Sequence, residues 1–413
     1  MKQVWIINQY ITSPDIEGDG YRHYYVAKEL AEKGYDTTLI TSSFSHAPYR
    51  HTKIKGLYKL VNKDVRTLVL KGNKYGKSQG LGRIISWIVF VIQLMCLPLI
   101  SRNKIPRPDI IVLSSLPLLP ILNVILFKAL FYRKVKIVFE IRDLWPLSAI
   151  ELGNYSKRNA FIGFLSYLEK KAYQNADFII SVIPRADIHI KEVLTHEKFK
   201  FRWITNGFKI PSSSRKLELS DVCDTSINTN DFNIGYAGTL VVANPLDTII
   251  QVVGNHENKQ INLFILGGGP EKERIVKLGK DYPNIHVLDR IPKKYVQSFL
   301  SQMDLLFMGK GTKNTTIYKF GTSQLKTFDY FFAKKPIIQA LNSSENPVTY
   351  SNSGYVVEPE NDVELKEKID YFIGMGKDGR NSYGNRGYEY LIANCTYKII
   401  GERFAEVFDE LMT

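Results

Sequence analysis

Cysteine is almost missing from this 413-residue chain: only Cys96, Cys223 and Cys395 occur, far apart and with no CxxC pair. That spacing excludes a disulfide framework and a zinc site, and it fits a reducing compartment. Also missing are a P-loop, an HExxH pair, a GxSxG elbow, a GxGxxG fingerprint and the DxD triplet that chelates a nucleotide-bound metal. The segment Asp15-x-Glu17-x-Asp19-Gly20 begins like a calcium loop, but Val26 stands where the bidentate Glu belongs. No metal site is therefore expected. The first residues, MKQVWIINQY, run straight into a strand pattern without signal-peptide architecture, and no short repeat or low-complexity tract follows.

Acidic residues are in deficit. There are 41 Asp and Glu against 55 Lys and Arg, a formal net charge of +14. The excess is concentrated between Arg50 and Arg83, where ten Lys or Arg face one acid, Asp64. The apolar run Ile84–Ile100 follows, 17 residues interrupted by Gln93 and Pro98, and then Arg102, Lys104 and Arg107. Its length is the lower limit for a membrane span. The run reads as a helix lying in a membrane interface beside a basic patch, with Trp87 and Phe90 toward lipid, in preference to a buried helix or a true span. No RNP-like, zinc-finger or Arg-rich aromatic pattern accompanies the basic stretch, so no nucleic-acid partner is expected.

Hydrophobic content of 44% is globular, and the length predicts two domains. Apolar strand patterns at Val4–Ile7, Thr37–Thr41, Val65–Leu70, Ile110–Leu113, Val135–Ile141, Phe178–Val182 and Phe201–Thr205 alternate with helical ones. The polar, serine-rich residues 211–231 read as a linker. Alternation then restarts at Ile234–Ala237, Ile261–Leu266, Ile285–Leu288, Leu305–Met308, Pro336–Ala340 and Tyr355–Val357. This predicts an α/β protein of two doubly wound, Rossmann-like domains, 1–210 and 232–387, facing each other across a cleft. A helical segment, 388–413, is expected to pack back on the first domain.

Ligands of such sheets sit beyond the carboxyl ends of strands, so the turns there carry the chemistry. After the first strand, Gly18 and Gly20 let a backbone approach a ligand ahead of a helix that carries His23. Phe139–Gly153, FEIRDLWPLSAIELG, brings Glu140, Arg142, Asp143 and Glu151 into one stretch, either as a structural ion pair of Arg142 with Asp143 or Glu140, or as an acceptor-side or leaving-group site. In the second half, Ala237-Gly238-Thr239 and Gly267-Gly268-Gly269 are small-residue turns after strands. The third turn is Gly321, followed by Thr322 and Ser323 as N-cap candidates for a helix over YKFGTSQLKTFDYFFAKK. A helical wheel puts Ser323, Lys326, Asp329 and Tyr330 on one side and Leu325, Phe328, Phe331 and Phe332 on a core side. Free amides with a lysine suit a diphosphate, and the carboxylate one turn on suits sugar hydroxyls.

With these residues in view, the chain resembles the family-4 (group 1) retaining glycosyltransferases of the GT-B fold, in particular the bacterial O-antigen and capsular polysaccharide subgroup. The elements that carry the resemblance are Arg142-Asp143-Leu144-Trp145-Pro146, Thr205-Asn206-Gly207, Tyr236–Leu240, Gly267–Pro270 and Phe320–Ile338. The chain departs from the wider family at two places. Gly321 and Asp329 occupy the Glu-x7-Glu positions, and Val241-Val242-Ala243-Asn244 stands where basic residues often follow the Tyr236–Leu240 turn. Lys326 is left as the main candidate cation. The resemblance implies a metal-independent hexosyl- or N-acetylhexosaminyl-type transferase needing no cofactor. Its donor would be a nucleoside-diphosphate sugar, UDP-linked, and its acceptor a polyprenyl-diphosphate-linked saccharide at the cytoplasmic face of a membrane. It marks Arg142, Asp143 and Lys326 as catalytic candidates. Gly18, Gly20, Gly238, Thr239, Gly268, Gly269, Thr322, Ser323, Lys326 and Asp329 are the donor-binding candidates. A nucleotide-sugar epimerase and a non-enzymatic basic membrane-binding protein are the competing readings.

Overall fold

The computed structural model describes residues 1–18, 21–46, 49–76, 80–101, 104–153, 155–211, 227–228, 230–312 and 314–413. Gly20 and most of the expected linker, including Cys223, lie outside the described residues. Two compact units make up the chain: Met1–Gly207 with Tyr397–Thr413, and Phe208–Thr396.

The first unit contains β1 (Lys2–Ile7), α1 (Arg22–Glu32), β2 (Tyr35–Ser42), the short hairpin β3 (Phe44–His46) and β4 (Tyr49–His51), β5 (Tyr58–Val61) and β6 (Arg66–Leu70). It continues through α2 (Leu81–Met95), α3 (Leu97–Ser101), β7 (Ile110–Ser114), α4 (Ile121–Leu130), β8 (Lys136–Ile141), α5 (Leu147–Gly153), α6 (Ala160–Asn175), β9 (Phe178–Ser181), α7 (Ala186–Leu194) and β10 (Phe201–Trp203). Its eight-stranded sheet has the order β10-β9-β8-β7-β1-β2-β6-β5, parallel except for the antiparallel β5–β6 pair at one edge. Strand order reverses at β1, between β2 and β7, which is the topological switch point. Strands such as β7 are buried throughout because helices cover both sheet faces, hence their unbroken apolar reading. Helix α1 stops where expected, with Gly34 at φ +84.

The second unit holds β11 (Phe232–Thr239), α8 (Asp247–Gly254), β12 (Ile261–Gly268), α9 (Lys272–Gly279), β13 (Ile285–Leu288), α10 (Lys293–Ser301), β14 (Leu305–Gly309), α11 (Leu325–Phe332) and β15 (Ile337–Ala340). Then come α12 (Pro347–Ser351), β16 (Gly354–Val357), α13 (Asp362–Gly374) and α14 (Gly376–Asn394). Its sheet is wholly parallel in the order β13-β12-β11-β14-β15-β16, with the switch point between β11 and β14. Ile234, Tyr236 and Ile265 pack on one face with α8 and α13. Ala237, Phe264 and Leu266 pack on the other with α10, α11 and α14.

The terminal helical stretch is divided. Only α15 (Tyr397–Met412) belongs to the first unit, whereas α14 stays with the second, so the return begins at Tyr397 and not at Tyr388. The reason is apolar periodicity: Ile400, Phe404, Val407, Phe408 and Leu411 form a stripe that joins Val26, Ala27 and Leu30 of α1 in one core. Gly401 lets α15 close on Glu29 of α1, where any Cβ would sit 2.3 Å from that of Glu29.

Helix α2 has two unlike faces. Ser86, Trp87, Phe90 and Leu94 are buried against the unit. Leu81, Ile85, Ile88, Ile92 and Met95 form an exposed apolar stripe that continues to Leu99. Trp87 and Phe90 therefore point inward, contrary to the expectation that they face lipid; the 100° step places the isoleucines on the outer side. Leu81–Leu99 is long and apolar enough to cross a membrane, with a third of it buried.

Candidate active site

At the carboxyl edge of the second sheet, β11 and β12 end in glycines that side chains would prevent from closing. A Cβ on Gly267 would lie 1.9 Å from the Gly238 carbonyl oxygen, and Gly269, at φ +155, abuts the Leu240 carbonyl. The result is a bare backbone floor. Over it lies Lys326 of α11, whose Nζ donates to the Tyr236 hydroxyl at 2.9 Å and sits 4.4 Å from that ring's centroid. A Cβ on Gly238 would come within 2.8 Å of the same ammonium. Burial, with the positive charge of Lys310 just past β14, lowers the Lys326 pKa to about 7. A second cation beside a half-buried ammonium, whose own hydrogen bond goes to a phenol and not to a carboxylate, is an arrangement that favours a bound anion.

Helix α11 begins later than its sequence suggests. Gly321 takes φ +88, Thr322 donates its amide to the Glu345 carbonyl, and the N-cap is Gln324, with no side-chain capping bond. Thr322 and Ser323 are thus a non-helical lead-in, and the first-turn amides with no intrahelical acceptor start at Leu325. The wheel is corrected at two positions as well. Leu325 is half exposed, and Tyr330 is fully buried, its hydroxyl donating toward the Ala237 and Phe307 carbonyls and accepting from the Ala237 amide. That phenol ties α11 to β11 and β14, which a polar-face reading misses.

Asp329 lies one turn on from Lys326. Its Oδ1 accepts from Gln297 Nε2 at 3.3 Å, and its carbonyl accepts from the same nitrogen at 3.1 Å. Burial raises its pKa, while Lys293 and Gln297 pull it back down. Thr239 is exposed at the β11 end, and its carbonyl accepts from Tyr236 at 3.0 Å. Gly268 is crossed by Arg290, whose Nε lies 2.5 Å from where a Cβ would stand. Sequence reading missed Tyr236, Lys310, Arg290 and Gln297. Lys310 and Arg290 carried a usable signal: each is a cation in the turn just past a strand.

The first unit has its own charged site at the carboxyl edge. Glu140, next to last in β8, is wholly buried and accepts from Arg22 Nε and His23 Nε2, both at 2.7 Å. A carboxylate only accepts, so Nε2 of His23 carries the hydrogen. Burial depresses the His23 pKa despite Glu140. For Glu140, burial opposes ionisation, but Arg22, His23 and Arg142 together outweigh it and hold the carboxyl well below its ordinary range. Arg22 also donates to the Thr205 carbonyl at 2.5 Å and the Ile204 carbonyl at 3.0 Å.

Arg142 and Asp143 do not pair with each other. Arg142 Nη2 donates to Asn206 Oδ1 at 3.2 Å, its amide donates to Ser115 Oγ at 3.0 Å, and its Nε is buried with no partner among the described residues. Asp143 accepts from the Trp145 indole at 3.2 Å and from Ser148 Oγ at 2.5 Å. The expected group of four charges is thus split: Glu140 serves α1, Arg142 turns to Asn206, Asp143 braces its own turn, and Glu151 lies further along on α5. Gly18 closes a turn by donating to the Ser13 carbonyl at 3.1 Å, and a Cβ there would sit 3.3 Å from Arg50 Cδ. Among the described residues no three His, Cys, Asp or Glu side chains gather as metal ligands would.

Two doubly wound Rossmann-like units, each with a switch point and with charged or glycine-lined turns at its carboxyl edge, define the GT-B fold. Solved structures similar to this chain include sucrose-phosphate synthase from Thermosynechococcus elongatus, with a TM-score of 0.72 and 12% identity over 100% of this chain and 99% of that one. HepE from Anabaena in complex with UDP has a TM-score of 0.64 and 12% identity over 99% of this chain and 100% of that one. WaaG, a glycosyltransferase involved in lipopolysaccharide biosynthesis, has 0.61 and 12% over 98% of this chain and 99% of that one. No protein-family model and no curated relative matches the sequence.

Proposed function

We propose that this protein is a glycosyltransferase. It moves a sugar, of hexosyl or N-acetylhexosaminyl type, from a UDP-linked donor to a lipid-linked saccharide in bacterial surface-polysaccharide assembly, with retention and without a required metal or cofactor. The observation that carries the reading is Lys326, half buried over a glycine floor with Lys310 beside it and α11 starting at the same point. The leaving UDP gains negative charge as the glycosidic bond breaks. Fixed cations and helix amides aimed at that charge stabilise the transition state more than the ground state. Asp329, braced by Gln297, accepts from the ribose hydroxyls. Arg142 and Asp143 serve the acceptor side. HepE, of the same fold, was solved with UDP bound, which supports the donor class.

A thermal-shift screen of nucleoside diphosphates and their sugars tests this. UDP and one UDP-sugar raise the melting temperature, and a lipid-linked acceptor is needed for turnover. No shift with any nucleotide would end the reading, and donor turnover without acceptor would mark an epimerase.

The membrane partner is read from α2. Its exposed stripe follows the basic stretch from Arg50 to Arg83, which suits an anionic leaflet at the cytoplasmic face. The buried inner face ties the helix along the unit, favouring an interfacial position over a span. Each isoleucine inserted contributes about 1.5–3 kcal/mol. Changing Ile85, Ile88 and Ile92 together to Ser therefore abolishes flotation with phosphatidylglycerol vesicles while leaving UDP binding intact. Undiminished flotation of this triple variant would place the contact elsewhere.

A further inference from the structure

Three aromatic side chains from three separate elements of the first unit meet beside Asp143 and have no part in the donor site. Tyr10 comes from the loop after β1, Trp87 from the inner face of α2, and Trp145 from the turn after β8. Trp87 Nε1 donates to the Tyr10 hydroxyl at 2.6 Å. The Trp87 and Trp145 rings meet edge to face, with centroids 5.9 Å apart and planes at 82°. Arg83, one turn before Trp87, lays its guanidinium 5.2 Å from the Trp87 ring and 6.0 Å from the Tyr10 ring. Trp145 also donates to Asp143.

The position is that of a ligand site. Strand β1 ends at the switch point, β8 is two strands away, and both loops leave from the carboxyl edge. Burial sorts the members: Trp87 is 3% exposed, whereas Tyr10, Arg83 and Trp145 each keep surface open to solvent. Buried Trp87 is further held by its helix, since Gln9 Nε2 donates to the Ser86 carbonyl and hydroxyl at 3.2 and 2.8 Å. The outer side of that same helix is the apolar stripe. Along α2 one therefore passes from an exposed apolar surface to a guanidinium stacked on aromatics, and from there to Trp145 and Asp143.

We propose that Tyr10, Arg83 and Trp145 form an acceptor subsite for a saccharide joined to a lipid through a diphosphate, with Trp87 as the positioning residue. The inference rests on the glycosyltransferase reading above and assigns the acceptor a place on this chain. The sugar ring lies against the aromatic side chains, whose apolar faces take its C–H groups. Arg83 binds the phosphate, because a planar guanidinium makes paired charge-assisted bonds to phosphate oxygens, and stacking on Trp87 and Tyr10 orients it beforehand. The lipid chain runs onto the stripe. Asp143, fixed by Trp145 and Ser148, then faces the sugar that receives the transfer.

The test uses the full chain with N-acetylglucosamine joined through a diphosphate to an undecyl chain, followed by intrinsic tryptophan fluorescence. Undecyl phosphate and N-acetylglucosamine 1-phosphate are the comparison ligands. The sugar-bearing lipid binds tighter than either. Arg83→Gln weakens it by about tenfold or more, the effect of one hydrogen-bonded charge pair, and leaves UDP affinity unchanged. Trp87→Phe keeps a ring but loses the N–H to Tyr10. It raises the acceptor KM with little change in kcat, and Tyr10→Phe gives the same split. Equal affinity of wild type and Arg83→Gln for the sugar-bearing lipid overturns the subsite. Undecyl phosphate binding as tightly as that lipid overturns it too, leaving a bare headgroup contact. Failure of wild type to bind UDP would instead overturn the donor reading, so the two failures are distinct.

Discussion

Replacing Lys326 with alanine weakens UDP binding by about 100-fold and removes transfer, while the protein keeps its fold and loses no thermal stability. The ammonium is an unfavourable element of the empty protein: burial and the neighbouring charge of Lys310 lower its pKa to about 7. Losing it relieves the fold and costs only the ligand. The protonation linkage has a definite sign. A diphosphate favours the charged lysine, so binding takes up a proton wherever the free side chain is neutral. UDP affinity is therefore flat below the free pKa and falls by up to about tenfold per pH unit above it. Stability runs the other way. The folded pKa of about 7 lies below the unfolded value of 10.5, so between them the unfolded chain binds more protons and this group's contribution to stability rises with pH. Calorimetry from pH 6 to 9 in buffers of different ionisation enthalpy reads both the affinity and the proton uptake. Lys326→Arg should restore binding and abolish the pH dependence. A flat profile for the wild type would remove Lys326 from the diphosphate.

The largest stability effect belongs to Glu140. Glu140→Ala destabilises the first unit by about 3–5 kcal/mol, because among the described residues it leaves buried Arg22 the Ile204 and Thr205 carbonyls and the Phe404 ring but no carboxylate, and takes the partner from His23. Thermal melting would register this as a midpoint lower by roughly 10 °C. The acid response follows from the same group. Its folded pKa is well below the ordinary glutamate value of 4.5, so its stabilisation is fully present above the unfolded pKa and is lost as pH falls through the folded one. A change below about 1 kcal/mol on Glu140→Ala would mean that the ion cluster and its desolvation cancel.

Parallel strands buried on both faces leave a plain trace in the chain, and β1, β7, β8, β12 and β14 were legible for that reason. The edge strand β5 was not, since YKLV alternates and is mostly half exposed. Helix α14 hid behind its glycines. Gly384 and Gly387 are poor helix residues, yet a Cβ on Gly384 would sit 2.0 Å from the Lys334 carbonyl and one on Gly387 would sit 2.8 Å from the Phe331 ring. There, close packing of α14 on α11 overrides propensity. At the site, Lys326 and Asp329 stood out because their spacing on one helix is a local fact. Tyr236 and Tyr330 did not, because whether a tyrosine is surface or strut depends on what lies across from it.

The order of strands and helices, the glycine turns and the cationic bias are properties of neighbouring residues, and the chain by itself determined them. Who pairs with whom was decided only in three dimensions. Glu140 stands two residues before Arg142 but takes its hydrogen bonds from Arg22 and His23, 118 and 117 positions away, because β8 and the start of α1 meet at the carboxyl edge. The same physics turned α2 over. The periodicity of an apolar run shows that it has faces, but burial against β6, α4 and the Tyr10 loop decides which face points in. That choice put Trp87 inside against Trp145 and left the isoleucines outside.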